Sequence, residues 1–238
     1  MPPLARPAPF SALLFGLSGC LVDFGARTIP VALQRLYPAC SDVPNNLQQL
    51  LGRSPQGDEL LAYHRALGEA ASEHAEYTPG AKELLVQLHQ QDIPCAWLDE
   101  LPRDASASLA KHLPDWLHGA GPNANGRPWP APDACWQMLV ELQVEQLAGC
   151  VLISGEPRLL QAGLNAGLWT VGLAACGPLC GLAPADWRAL NGDERDRLRS
   201  QATLRLYRLG VHSVIDHLTD LPACLDDLSA RRHKGEKP

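Results

Sequence analysis

Two short apolar runs end in acidic residues. Residues 93–98 lead into Asp99 and Glu100, and residues 150–154 lead through Gly155 to Glu156. Carboxylates at the ends of buried strands can hold and move protons if burial perturbs them. Ser18 and Cys20 follow a third apolar run, 11–17, and offer a hydroxyl and a thiol as nucleophiles. Arg127 and Arg158 supply cations, Arg158 at the start of an expected helix whose N–H groups favour anions. Asp99, Glu100, Glu156, Ser18 and Cys20 thus make one candidate hydrolytic site. The competing reading is structural: Asp99 and Glu100 cap the next helix or face water, Glu156 before Pro157 opens a helix, and Arg127 pairs with Glu156.

Other reactive residue types form no site. Of the eight cysteines only Cys176 and Cys180 are close, and no second pair of Cys or His stands at zinc-site spacing. Several cysteines lie inside apolar runs, so the expectation is buried thiols in a reducing cytoplasm. The histidines are dispersed, without H-E-x-x-H, and no G-x-G-x-x-G follows a strand, which argues against NAD. With 26 acidic against 20 basic residues and a formal charge of −6, the chain lacks the basic stripe of a nucleic-acid binder. No apolar run reaches the roughly 18 residues of a membrane span. At 46% hydrophobic and 19% charged, the 238 residues can bury a real core.

The elements that must position these groups alternate. Apolar runs at 11–17, 93–98, 116–117, 150–154, 168–173 and 211–215 read as strands. Helical patterns at 81–90, 105–112, 133–144, 159–166, 186–209 and 221–228 separate them. Strands that are apolar throughout and alternate with helices form a parallel sheet covered on both faces, with ligands outside the strands' carboxyl ends. Residues 29–37, 45–51 and 58–75 are helical pieces punctuated by Pro30, Pro38, Pro44 and Pro55. Residues 1–9, with four prolines, and 231–238 are expected to be flexible tails. The N-terminus also resembles a lipoprotein export signal through Leu17-Ser18-Gly19-Cys20. The buried-strand reading is preferred, because Val22-Asp23-Phe24-Gly25 continues a structured segment.

Four stretches together resemble the phosphonoacetaldehyde hydrolase (phosphonatase) branch of the haloacid dehalogenase superfamily. Leu14-Phe15-Gly16-Leu17-Ser18-Gly19-Cys20-Leu21-Val22-Asp23-Phe24-Gly25 is similar to the family's first strand and loop. Gly126-Arg127-Pro128-Trp129-Pro130, Asn165-Ala166-Gly167-Leu168-Trp169-Thr170-Val171-Gly172 and Gly210-Val211-His212-Ser213-Val214-Ile215-Asp216 match later stretches in register. The resemblance implies an α/β fold: a Rossmann-like core of residues 10–26 and 76–230 with a parallel sheet. A short helical cap, 27–75, is inserted after the first strand.

The resemblance also implies a chemistry, and the residues at its positions do not supply it. The family attacks phosphorus with a first-strand aspartate, holds magnesium with acids after the fourth strand, and forms a Schiff base through a cap lysine. Those positions here are Gly16 for the nucleophile, with Ser18 two residues on, Leu98 for the second-motif hydroxyl, Gly155 and Leu159 for the metal acids, and Leu60 for the lysine. The only lysines are Lys82, Lys111, Lys234 and Lys237, outside the expected cap. Magnesium, the family's cofactor, has no carboxylates left to replace its water, so no cofactor is expected. The expectation is a non-catalytic protein that binds a small anion or a protein partner. The anion would sit on the backbone of Gly16, Leu17, Ser18 and Gly19 with Arg127 and Arg158. The alternative is a hydrolase for a phosphorylated or phosphonate substrate, rebuilt on Asp99, Glu100 and Glu156. Relatives that dimerise through the cap make a homodimer compatible with the chain.

Overall fold

The computed structural model describes residues 10–40, 46–122 and 126–238. The expected tail at 1–9, and the start of the expected helix at residue 45, lie outside the described residues. The chain opens with β1 (Ala12–Gly16), followed by three helices, α1 (Thr28–Leu36), α2 (Leu47–Leu51) and α3 (Gly57–Glu73). The alternating part runs α4 (Ala81–Gln90), β2 (Cys95–Leu98), α5 (Arg103–Ala110), β3 (His118–Ala120), α6 (Asp133–Glu141), β4 (Cys150–Ser154), α7 (Pro157–Asn165) and β5 (Trp169–Leu173). It closes with α8 (Pro184–Ala189), α9 (Gly192–Leu209), β6 (Ser213–Ile215) and α10 (Leu221–His233).

The six strands form one sheet in the order β3-β2-β1-β4-β5-β6. Every pairing is parallel. Strand side chains alternate between faces, and each face has its own helical cover. Leu13, Phe15, Val151, Ile153, Trp169 and Val171 pack with Leu84, Leu85 and Leu88 of α4 and with Leu221, Leu225 and Leu228 of α10. Leu14, Ala96, Leu98 and Leu152 pack with Met138 and Leu139 of α6 and with Leu159 and Ala162 of α7. A third cluster joins the early helices to the sheet's carboxyl end: Ala32 of α1 and Ala66, Leu67, Ala70 and Ala71 of α3 meet Leu17, Leu101, Ala105 and Leu109. No helix of the described residues is long and apolar enough to cross a membrane.

The fold differs from the sequence expectation in three places. Residues 186–209 are not one helix, because Asn191 accepts from the Glu194 N–H while the Glu194 carboxylate accepts from the Asn191 N–H, a capping box that starts α9 afresh. The third strand lies at His118–Ala120 rather than at 116–117, and its residues pair with β2 from Ala96 to Leu98. Residues 231–238 are not wholly a tail. α10 runs to His233, and Arg231 donates to the His212 carbonyl at 2.9 Å and pairs with Glu236 at 2.8 Å.

Candidate functional site

The carboxyl ends of β1 and β4 meet where the resemblance places a nucleophile and its metal acids. The end of β1 is filled. A Cβ built on Gly16 would lie 2.6 Å from Ser154 Oγ and 3.4 Å from Leu159 Cδ2, and both Ser154 and Leu159 are fully buried. Ser154 Oγ accepts the Glu156 N–H at 3.0 Å, so that hydroxyl is part of the turn into α7.

Gly155 is closed by backbone. A Cβ there would stand 2.5 Å from Gly177 Cα and 2.7 Å from the Gly19 carbonyl oxygen. The segment after β5 is held in that place by the Gly25 N–H donating to the Cys176 carbonyl at 2.7 Å. No side chain fits at residue 155 unless that segment moves.

The loop expected to cradle an anion has internal uses for its donors. The Leu17 N–H donates to the Leu98 carbonyl at 3.0 Å, and the Gly19 N–H to the carbonyls of Val22 and Asp23. The Ser18 hydroxyl donates to Asp23 Oδ2 at 2.8 Å. Asp23, buried with φ of 58°, also accepts from the Arg27 N–H, the Thr28 N–H and the Thr28 hydroxyl, which fixes the entry into α1. Leu98 is buried at the end of β2, whereas Leu60 sits on α3, 39% exposed and far from any burial an imine needs. Lys111 Nζ donates to the Ser72 carbonyl.

One strand over, at the ends of β2 and β3, a cleft of about 260 Å³ is open. Asp99, Glu100, Arg127, Trp129 and Gln137 line it. Asp99 is 8% exposed, its Oδ2 accepting from the Ser106 hydroxyl and its Oδ1 from the Glu100 N–H, both at 2.9 Å. It carries no ion pair among the described residues. Burial pushes its carboxyl up to about 6, against the pull of those donors, and the Asp23 carboxylate adds to the rise.

Both cations near the cleft are paired. Arg158 donates to Glu100 Oε2 at 2.9 Å and to the Trp129 carbonyl, while the other Glu100 oxygen accepts the Trp129 N–H. Arg127 pairs with Asp133, the first residue of α6, at 3.0 Å rather than with Glu156. Glu156 caps α7 by accepting the Arg158 N–H, and burial raises its carboxyl above the usual range. The structure therefore brings Asp99, Glu100 and Arg127 into one cleft, adjoins Glu156 and Arg158 through Glu100, and leaves Gly16, Ser18, Gly155 and Leu159 in a packed seam. Cys20 is buried, its thiol raised by burial, so it offers no thiolate nucleophile. Sequence reasoning missed Gln137 and Asp133. Asp133 had a local signal, an acid opening a helix six residues after Arg127.

No family model matches the chain. The phosphonoacetaldehyde hydrolase of Pseudomonas fluorescens (strain Pf0-1) is 30% identical over 206 residues, 82% of this chain and 74% of the relative. The chain belongs to the phosphonoacetaldehyde hydrolase family. That of Bordetella pertussis is 28% identical over an alignment of 272 residues spanning 98% of this chain and 97% of the relative, so the relative carries residues opposite gaps here. A solved structure 52% identical to the chain superposes with a TM-score of 0.76, covering 96% of this chain and all of that one. A phosphonoacetaldehyde hydrolase-like protein from Oleispira antarctica shares the fold at 24% identity and TM-score 0.84, covering 100% of this chain and 99% of that one.

The family's magnesium ion would need carboxylates at the ends of β1 and β4. No group of three His, Cys, Asp or Glu side chains among the described residues is arranged to hold a metal. Gly16 and Gly155 cannot contribute carboxylates, so the seam does not fit the ion.

Proposed function

We propose that this chain is a non-catalytic phosphonatase-like protein that binds a small molecule in the cleft at the carboxyl ends of β2 and β3. The family reaction needs an anionic oxygen at phosphorus, carboxylates for the metal and an amine for the imine. The observation that carries the proposal is the seam at Gly16 and Gly155, where a Cβ would meet Ser154, Gly177 and Gly19. The helices at 28–73 act as a shortened cap, and the apolar cluster that joins Ala66, Leu67 and Ala70 to Leu101 and Leu109 holds that cap on the core. The compartment proposed is the cytoplasm, where buried thiols such as Cys20, Cys95 and Cys135 remain reduced.

The test is turnover. Purified protein should release no phosphate from phosphonoacetaldehyde or a generic phosphate ester above background, with or without magnesium. Gly16→Asp should not restore it, because the metal acids and the lysine remain absent. Metal-dependent cleavage by wild-type protein would overturn the proposal.

A second reading has one observation in its favour: the buried Asp99 and the half-buried Glu156 both have carboxyls with raised proton affinity. A hydrolase rebuilt on them would lose its turnover in Asp99→Asn or Glu156→Gln.

A further inference from the structure

The ligand class follows from what the cleft lacks. Its two guanidinium neighbours are already matched to carboxylates, Arg127 to Asp133 and Arg158 to Glu100. An incoming anion would compete with those pairs. Asp99 is the reverse case, a buried carboxylate whose hydrogen-bond donors, the Ser106 hydroxyl and the backbone N–H groups of Glu100 and Leu101, are all uncharged and which has no ion pair among the described residues. An ionised carboxylate so placed is destabilised until a cation or a strong donor approaches it.

The walls suit a small organic cation. Trp129 lines the cleft beside Asp99, with Pro122, Pro128 and Ala134 supplying further apolar surface. An indole beside a carboxylate attracts an ammonium group through the ring's negative face and the oxygen charge together. The volume, about 260 Å³, holds on the order of eight to nine water-sized groups at ~30 Å³ each. That suits a compound of a few heavy atoms.

We infer that the cleft binds a small primary ammonium compound, its N–H donors on the Asp99 carboxylate and its carbon chain against Trp129. This rests on the reading of the cleft as the binding site, and it stands or falls separately from the hydrolysis assay. The other charged groups facing Asp99 are Asp23, Glu100, Arg127 and, through Glu100, Arg158 and Glu156. Glu100 is matched by Arg158, whereas the Asp23 carboxylate adds to the negative charge around Asp99, which favours the cation.

The probe is 2-aminoethanol, with ethylene glycol as the neutral control and inorganic phosphate as the anionic one. Calorimetric titration of the full chain at pH 7.5 should give saturable binding of 2-aminoethanol, a rise in Tm with its concentration, and neither effect from the two controls. Asp99→Asn should weaken binding roughly tenfold or more, the size expected for one charge-assisted hydrogen bond. Glu83→Gln, on the exposed face of α4 outside the cleft lining, should leave it unchanged. If Asp99→Asn fails to fold, the wild-type protein still decides. The ammonium group stays charged at pH 5 while Asp99 takes up its proton, so affinity should fall roughly tenfold from pH 7.5. Binding of phosphate in place of the amine, no binding of 2-aminoethanol, or equal affinity at both pH values would each overturn the inference.

Discussion

Replacing Asp99 by Asn should stabilise the protein at neutral pH, and the gain should vanish in acid. The carboxyl sits at about 6 in the fold against about 3.9 in an unfolded chain. A raised folded value means that the native state holds its proton more tightly than the unfolded state. Stability from this group is therefore greatest below about 4 and falls as pH rises through 6. The full displacement is worth roughly 3 kcal/mol above pH 6. Asparagine removes the charge and keeps the shape. Its amide oxygen can still accept the Glu100 N–H, and Ser106, which also donates to the Leu101 carbonyl at 3.1 Å, can turn to accept from the new amide.

Urea unfolding of both proteins across pH 4 to 8 isolates the effect. Exposed carboxylates held low by arginine, such as Glu59 beside Arg53 and Glu73 beside Arg35, push stability the opposite way with pH. They are common to both proteins and cancel in the difference. The variant should match wild type near pH 4 and exceed it by up to about 3 kcal/mol at pH 8, or roughly 6–12 °C in Tm for a chain of this size. A variant that is less stable at pH 8, or whose advantage is the same at every pH, would refute the claim that Asp99 is a buried, uncompensated carboxylate.

Two further outcomes test the seam and the loop. Gly155→Ala should destabilise by about 2 kcal/mol or more in the same urea measurement, because its Cβ meets the backbone of Gly177 and Gly19 rather than a flexible side chain. Tolerance of alanine there would mean that the space is open. Asp23→Ala should cost about 2–4 kcal/mol by leaving the Thr28 N–H, the Thr28 hydroxyl and the Ser18 hydroxyl without their acceptor, and an unchanged unfolding midpoint would contradict that account of the loop.

Five of the six strands were legible because a parallel sheet buried on both faces turns a strand into an apolar run, whereas the edge strand β3, His118–Ala120, is largely exposed and lies beyond the run at 116–117. β4 appears with the bounds its hydrophobicity draws, Cys150–Ser154. The break before α9 was legible in principle, since Asn191 and Glu194 have capping-box spacing, but a long polar-faced periodicity hid it. The acids after β2 and β4 were found as candidates because their position relative to the strands is local information. Their partners were not local. Arg158 reaches Glu100 across 58 residues of sequence, and Gly155 meets Gly177 through the segment that follows a different strand. Both depend on how the carboxyl ends of the sheet converge. The proton affinity of Asp99 is likewise a product of burial, which no residue type reveals.

The two neighbouring regions respond to charge in opposite ways, and the contrast bears on the proposed function. A carboxylate at Gly16 or Gly155 would have entered a buried site beside Leu159 with no cation at hand, where like charges and desolvation raise the cost of ionisation. Glycine and leucine close that space with ordinary packing and leave no polar group unpaired. At Asp99 an uncharged side chain of the same shape is accessible, asparagine with the Ser106 bond reversed, yet the carboxylate stands there ionised at neutral pH at a cost of roughly 3 kcal/mol. A perturbed carboxyl that lines an open cleft and weakens the fold belongs where a ligand or a proton completes it. With Arg127 and Arg158 already matched, the missing partner is a cation. A ligand that supplies it should recover the stability that Asp99→Asn recovers by substitution, so saturating 2-aminoethanol should raise the Tm of wild-type protein at pH 8 by more than it raises that of the variant.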